Sequence, residues 1–169
     1  MDYENISFPR TETCMIMTPL HTNSRGNVHG GEIMKIMDNT AGITAYKHAK
    51  GQVVTARVDE IEFHRTIHIG DVVTCIAQLA YVGNSSMQIM VEMVVNRIVE
   101  GSQPERAITA FFTFVHLKDG KPAKVPPLVV KTMEDAELYR LGEEKYREIR
   151  AKLDKRKDKP HSSCGVPDC

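Results

Sequence analysis

A carboxylate and a pair of glycines seven residues apart carry the clearest chemical content in this sequence. Asp38 falls within GGEIMKIMDNTAGITAYKHA, whose apolar spacing predicts a helix over Gly30–Ala49 ended by Lys50-Gly51. On a helical projection Asp38 sits at the flank of the apolar face, beside Gly31, Gly42, Ala45 and Ala49. Small residues there let a ligand or another backbone approach, at a cost of about 1 kcal/mol for each glycine relative to alanine. A carboxylate opening on such a groove suits a general base or a nucleophile; the alternative is a carboxylate that caps a neighbouring element or pairs with a lysine. At the helix start, Arg25-Gly-Asn-Val-His-Gly-Gly31 leaves backbone N–H groups bare at the positive end of the helix dipole, which stabilises an oxyanion. Asn27 adds a neutral amide able to orient a water or a carbonyl. His29 has no visible partner, and a loop histidine of that kind is more often structural than a base.

Geometry limits how these groups can combine. At a rise of 1.5 Å per residue, Gly31 and Asp38 stand about 10.5 Å apart along the axis. An oxyanion donor and a base must both come within about 3–4 Å of one carbonyl group. One helix cannot bring both to the same substrate atom. If both act, the glycine end comes from one subunit and Asp38 from another.

The elements that must hold these groups follow from a change of period. In the helix, Ile33, Met34, Met37, Ala41 and Thr44 share the face expected to be buried, with Glu32, Lys35, Asn39 and Tyr46 pointing away. Between Val53 and Leu117 the pattern alternates with period two. Val72–Val82 sets Val73, Cys75, Ala77, Leu79 and Tyr81 on one face, and Met87, Ile89, Val91, Met93 and Val95 form another apolar face. Ala107–Leu117 is apolar on both faces and reads as central, while Val53–Ile67 slips phase near Asp59 and Glu60 as a bulge would make it. With a short strand around Thr13–Met17, five strands on short turns make a mostly antiparallel sheet, with the long helix lying across it. The class is α+β. Lys131–Lys159 alternates charges of both signs over a thin apolar edge of Leu138, Leu141, Tyr146 and Ile149, and reads as a solvated C-terminal helix. The chain thus divides into a domain over 1–130, a charged helix over 131–160 and a tail over 161–169 expected to be disordered.

Composition narrows the class. The 169 residues are 41% hydrophobic and 26% charged, with Lys+Arg and Asp+Glu both 22. A neutral chain has no bulk electrostatic case for nucleic acid or an anionic membrane, and zero net charge removes a brake on self-association. No apolar run approaches the length of a bilayer span, and the polar start lacks a signal peptide's apolar stretch. The four cysteines, Cys14, Cys75, Cys164 and Cys169, match neither a disulfide scaffold nor a four-ligand zinc site. A reduced, cytoplasmic protein without metal is expected, although His161, Cys164 and Cys169 could in principle hold one.

The ordered set Asn27-Val-His-Gly-Gly-Glu-Ile-Met-Lys-Ile-Met-Asp38, Val53-Val-Thr-Ala-Arg-Val-Asp59, Phe63-His-Arg65, Ile69-Gly-Asp-Val-Val73 and Val125-Pro-Pro-Leu128 resembles the hotdog-fold acyl-CoA thioesterases, on the branch of the cytosolic acyl-CoA hydrolases and their bacterial single-domain forms. The resemblance implies a five-stranded antiparallel sheet wrapped around a central helix. It implies hydrolysis of acyl-CoA to CoA and a free acid, without cofactor. Asp38 matches the catalytic carboxylate, as general base or nucleophile; Asn27 matches a second active-site residue supplied by the opposite subunit; the Gly31 N–H would polarise the thioester carbonyl. It also implies a homodimer, commonly built into a trimer of dimers. His29, Gly30, Arg57 and the turn residues Gly83, Ser85 and Ser86 stand as candidate substrate contacts, although Gly83-Asn-Ser-Ser86 replaces an Arg-Thr-Ser that relatives often carry there. Two other readings compete. One is a hotdog dehydratase using His29 as base. The other is a non-catalytic acyl-CoA sensor, which on this fold usually carries a DNA-binding module that this chain does not show.

Overall fold

The computed structural model describes residues 10–97, 101 and 103–157, and of residues 60, 156 and 157 the backbone alone. The tail with His161, Cys164 and Cys169 lies outside the described residues. Helix α1 (Gly30–Ala49) is wrapped by an antiparallel sheet of β1 (Arg10–Ile16), β2 (Gln52–Phe63), β3 (Val72–Val82), β4 (Ser86–Asn96) and β5 (Glu105–Lys118), in the order β1-β3-β4-β5-β2. A two-residue β6 (Lys121–Pro122) turns back on β5. The α+β architecture with one central helix is the one expected.

The alternation in β3 and β4 does what period two requires. Val73, Cys75, Ala77 and Leu79 from β3 and Met87, Ile89, Val91 and Met93 from β4 are fully buried in the main core with α1. Two bulges break β2, between Thr55 and Arg57 and between Asp59 and Glu62; the second is the slip anticipated near Asp59 and Glu60. Pairing ends at Phe63, so Ile67 packs from a loop rather than from the strand.

Helix α1 is buried more widely than a one-sided helix, because the sheet curls around it. Ile36, Thr40, Ala45 and Ala49 join Ile33, Met37, Ala41 and Thr44 in the interior. Met34, expected inside, is 41% exposed. Ala45 and Ala49, expected beside Asp38 on an open flank, are enclosed. Thr40 and Thr44 satisfy their buried hydroxyls by donating to the carbonyls of Ile36 and Thr40 one turn back.

The outer face of the sheet carries α2 (Met133–Lys157). Its apolar edge is packed rather than solvated as far as Ile149. A β-bulge between Leu79 and Tyr81 turns Tyr81, expected on the face of Val73, Cys75, Ala77 and Leu79, toward α2 beside Ala80. Gly142 rests directly on them, so close that a Cβ there would lie 2.7 Å from the Tyr81 Cβ and 2.8 Å from the Ala80 Cβ. Leu138 packs on Ala80, and Tyr139 and Tyr146 flank the Tyr81 ring with centroids 5.0 and 5.1 Å away. The charged face is solvated as the sequence implies, with the pairs Arg140–Glu144 and Arg147–Glu143 at one-turn spacing.

Candidate active site

Asp38 emerges from α1 opposite β2. The Thr55 hydroxyl donates to its Oδ1 at 2.7 Å; among the described residues no donor reaches Oδ2. The pair opens on a cavity of about 400 Å³, which continues along Gly42, Ile43 and Tyr46 of α1 against Val53 and Phe114. Thr55 is brought there by register. It stands opposite Phe114, on the α1 side of the sheet, and the bulge that follows sets Arg57 opposite Thr113 on the other face.

The start of α1 builds a second cavity, of about 300 Å³, whose lining includes Asn23, Asn27, Gly30, Phe63, His64 and Arg65. The first four N–H groups of a helix lack intrahelical partners, and here three of them are accounted for. The N–H of the N-cap residue His29 donates to the His21 carbonyl, the Gly31 N–H donates to His29 Nδ1 at 2.9 Å, and the Glu32 N–H donates to the His29 carbonyl. The Gly30 N–H has no acceptor among the described residues, and Gly30 lines the cavity. The bare donor at the helix start is therefore on Gly30, whereas the Gly31 N–H expected for that role is occupied.

The wall of this second cavity is held mainly by backbone. Asn23 Oδ1 accepts from the N–H groups of Arg25 (2.9 Å) and Asn27 (3.3 Å), and the Asn23 N–H donates to the Asn27 carbonyl. Asn27 in turn bridges to His68, and the Val28 N–H donates to the Ile67 carbonyl. The buried Asp71 carboxylate accepts from the His68 N–H at 2.9 Å and pairs with Arg97, which also donates to the Thr66 carbonyl. A carboxylate taken out of water requires such donors, and here they fasten the 64–71 loop against the site.

The sequence-derived candidates thus fall into separate places. Asp38 lines one cavity and Asn27 with Gly30 the other, and the two share no lining residue. Arg57 lines neither; it pairs with Asp59, and that bond raises its pKa above the ordinary guanidinium value. Gly83, Ser85 and Ser86 also line neither. They form the β3–β4 turn, with the Gly83 N–H on the Ser86 carbonyl at 2.8 Å. A Cβ at Gly83 would come within 2.9 Å of the Tyr146 ring, which gives the glycine a packing reason. Cys75 is a buried thiol pushed up to about 11 by desolvation, which makes it a poor nucleophile. Among the described residues no group of three or more His, Cys, Asp or Glu could hold a metal ion.

Two residues of these cavities were not singled out from the sequence. Thr55 had a detectable signal, a hydroxyl within an otherwise apolar Val53-Val54-Thr55 run, but its side of the sheet depends on the bulge. Asn23 had the Asn-x-x-Gly spacing of a turn, which marks a turn without marking a site.

Residues 25–101 match the thioesterase superfamily. The chain is 38% identical over 149 residues to the cytosolic acyl coenzyme A thioester hydrolase of Rattus norvegicus, a match covering 87% of this chain and 39% of that protein. This chain therefore spans well under half the length of that relative. The acyl-CoA hydrolase of Staphylococcus aureus, solved with coenzyme A, superimposes with a TM-score of 0.81 at 30% identity, covering 88% of this chain and 89% of that one. Its alanine variants at an asparagine, a threonine and an aspartate have been solved. A hexameric thioesterase of Yersinia pestis superimposes with a TM-score of 0.63 at 39% identity, covering 68% and 93% of the two chains. From its sequence and its fold, the chain belongs to the thioesterase superfamily, among the acyl-CoA thioester hydrolases.

Proposed function

We propose that the chain hydrolyses acyl-CoA thioesters to CoA and a free acid, in a site assembled from two copies. The observation that carries this reading is the division of one reaction's equipment between two cavities of the same helix. Asp38 with its Thr55 bond lies in one, and the free Gly30 N–H with two asparagines lies in the other. Strand β2 is an unpaired edge of the sheet. It carries Thr55 toward its start, at the Asp38 cavity, and Phe63 at its end, at the Gly30 cavity. Antiparallel pairing of β2 with a second copy, about a two-fold axis near mid-strand, turns the Thr55 end of one protomer toward the Phe63 end of the other. The exposed apolar side chains Val54 and Phe63 on that edge favour such pairing.

In the assembled site the thioester carbonyl accepts from the Gly30 N–H, and an asparagine amide orients it or the water. Thr55 holds Oδ1 of Asp38, which leaves Oδ2 to take a proton from water as the water oxygen attacks the carbonyl carbon. The Gly30 N–H then faces the developing oxyanion. Collapse breaks the C–S bond, and the thiolate of CoA takes the proton back from Asp38. Attack by Asp38 itself, with later hydrolysis of the anhydride, uses the same geometry.

Either Asn27 or Asn23 can supply the amide, and the spacing favours Asn23. In the Staphylococcus relative the substituted asparagine, aspartate and threonine are separated by fifteen and then seventeen residues, as are Asn23, Asp38 and Thr55 here. Contacts to CoA from His29, Arg57, Gly83, Ser85 and Ser86 belong to the same proposal. None of the five lines either cavity of one chain, so these contacts require a second copy. A hexamer, the state named for the Yersinia relative, and a cytosolic location, named for the rat relative, extend the proposal. A dehydratase using His29 as base is disfavoured, because Nδ1 of that ring is taken by the Gly31 N–H.

Thiol release from acetyl-, butyryl-, octanoyl-, lauroyl- and palmitoyl-CoA tests the reading. Turnover of at least one ester that Asp38→Ala lowers at least about 100-fold while the variant stays folded is the expected result. Binding without turnover identifies a sensor, and full activity in Asp38→Ala removes the assigned base.

A further inference from the structure

Gly42 is the observation that needs explaining. It sits in the interior of a 20-residue helix, where glycine costs about 1 kcal/mol relative to alanine. The backbone does not require it, since Gly42 is not among the positive-φ glycines. Close packing does not require it either. A Cβ at Gly42 would meet the Phe114 ring at 3.6 and 3.7 Å, ordinary contact, whereas at Gly142 it would clash. What the missing side chain leaves is room for a methyl against the Phe114 ring, one turn beyond Asp38, in the cavity shared with Ile43, Tyr46, Val53 and Phe114.

The chemistry of that cavity is ordered along the helix. Its polar groups, Asp38, Asn39 and Thr55, stand at one end; beyond them Gly42, Ile43, Val53 and Phe114 offer apolar surface, and Tyr46 stands at the far end, 61% exposed. We propose that this groove holds the acyl chain of the substrate, with Gly42 as its floor and Tyr46 as its stop, so that the two residues set the preferred chain length. The inference rests on the thioesterase reading and adds the substrate class to it. Eight residues separate Asp38 from Tyr46, about 12 Å at 1.5 Å per residue. A zigzag chain of 1.5 Å bonds advances about 1.3 Å per carbon, so about eight or nine carbons fit before the ring. The substrate is a medium-chain acyl-CoA, near octanoyl.

The test compares kcat/KM for acetyl-, octanoyl- and palmitoyl-CoA in the wild type, Gly42→Leu and Tyr46→Ala, with thermal melts to establish folding. The wild type is expected to prefer octanoyl-CoA over both others. Gly42→Leu, which fills the floor, is expected to lower the octanoyl-to-acetyl ratio at least tenfold. Tyr46→Ala, a change at an exposed position that keeps the helix, is expected to raise the palmitoyl-to-octanoyl ratio at least fivefold. If esters are hydrolysed but Tyr46→Ala leaves the ratios unmoved, the ruler is overturned and the thioesterase reading stands. If Gly42→Leu lowers all three esters equally in a folded protein, the groove does not hold the acyl chain. If no ester of any length is hydrolysed by the wild type, the thioesterase reading falls and takes the ruler with it.

Discussion

At its N-terminus α1 meets a wall stitched together by main chain. Asn23 is tied to Arg25 and Asn27, Val28 to Ile67, and His68 to the buried Asp71. Eight residues further on, the same helix presents Asp38, fixed by one hydroxyl from an edge strand. The first region displays a backbone donor, Gly30, whose position depends on many bonds at once. The second displays a single titratable side chain whose orientation depends on Thr55. Oxyanion stabilisation needs dipoles that do not reorganise, and a network of main-chain bonds supplies them. Proton transfer needs one correctly aimed carboxylate, and one bond is enough to aim it. On the proposed mechanism, the two regions are built to different tolerances because each serves a different chemical step.

That contrast can be broken most severely at Asp38. Asp38→Asn keeps the shape and removes the base; kcat is expected to fall at least about 100-fold with an unchanged melting temperature, measured by thiol release and calorimetry. Thr55→Val removes only the aim. A loss of about tenfold in kcat, with KM little changed and activity restored in Thr55→Ser, is expected from steady-state kinetics.

A second contrast sets the two helix glycines against each other. Gly142→Ala forces α2 away from Ala80 and Tyr81 and is expected to destabilise the fold by about 1–3 kcal/mol in denaturant titration. Gly42→Ala has room for its methyl and is expected to stabilise it by up to about 1 kcal/mol. Equal effects at the two positions would remove the case for Gly42 as a functional glycine.

The smallest effect concerns the far end of α1. Burial, opposed by a bond to the Pro126 carbonyl and assisted by Lys50, pushes the His48 pKa below its ordinary 6.5. The unfolded chain then binds the proton more readily than the folded one. Stability is fully present above about pH 6.5 and is lost as pH falls through the lower folded pKa. Melting temperatures between pH 7.5 and pH 5 are expected to fall less steeply for His48→Gln than for the wild type.

Strand β4 and the central helix were legible in the sequence because each keeps one period over eleven or more residues, as Ser86–Asn96 does. Where one residue shifts the phase, legibility ended. The extra residue before Tyr81 turned its ring toward α2, and the one after Thr55 separated that hydroxyl from Arg57 by a whole sheet. A helix wrapped by a curled sheet buries a wider arc than a one-sided helix, which brought Ile36, Thr40, Ala45 and Ala49 inside, while Met34 lies outside that arc. In the site, Asp38 could be read because a carboxylate beside an apolar face is conspicuous. Thr55 and Asn23 could not, because each owes its place to a partner distant in the chain or to a turn. That the Gly31 N–H is occupied depends on a histidine cap that spacing does not reveal.

The central claim, that one chain's Asp38 works with another chain's Gly30 and asparagine, is tested most directly by mixing two inactive variants. Asp38→Asn and Asn23→Ala are each purified, confirmed inactive and folded, then unfolded together and refolded. Random pairing makes half of the dimers mixed, and each mixed dimer carries one intact site of two, so about a quarter of wild-type activity is expected to return. If both groups acted within one chain, every site in the mixture would lack one of them, and the refolded mixture would stay as inactive as its parents.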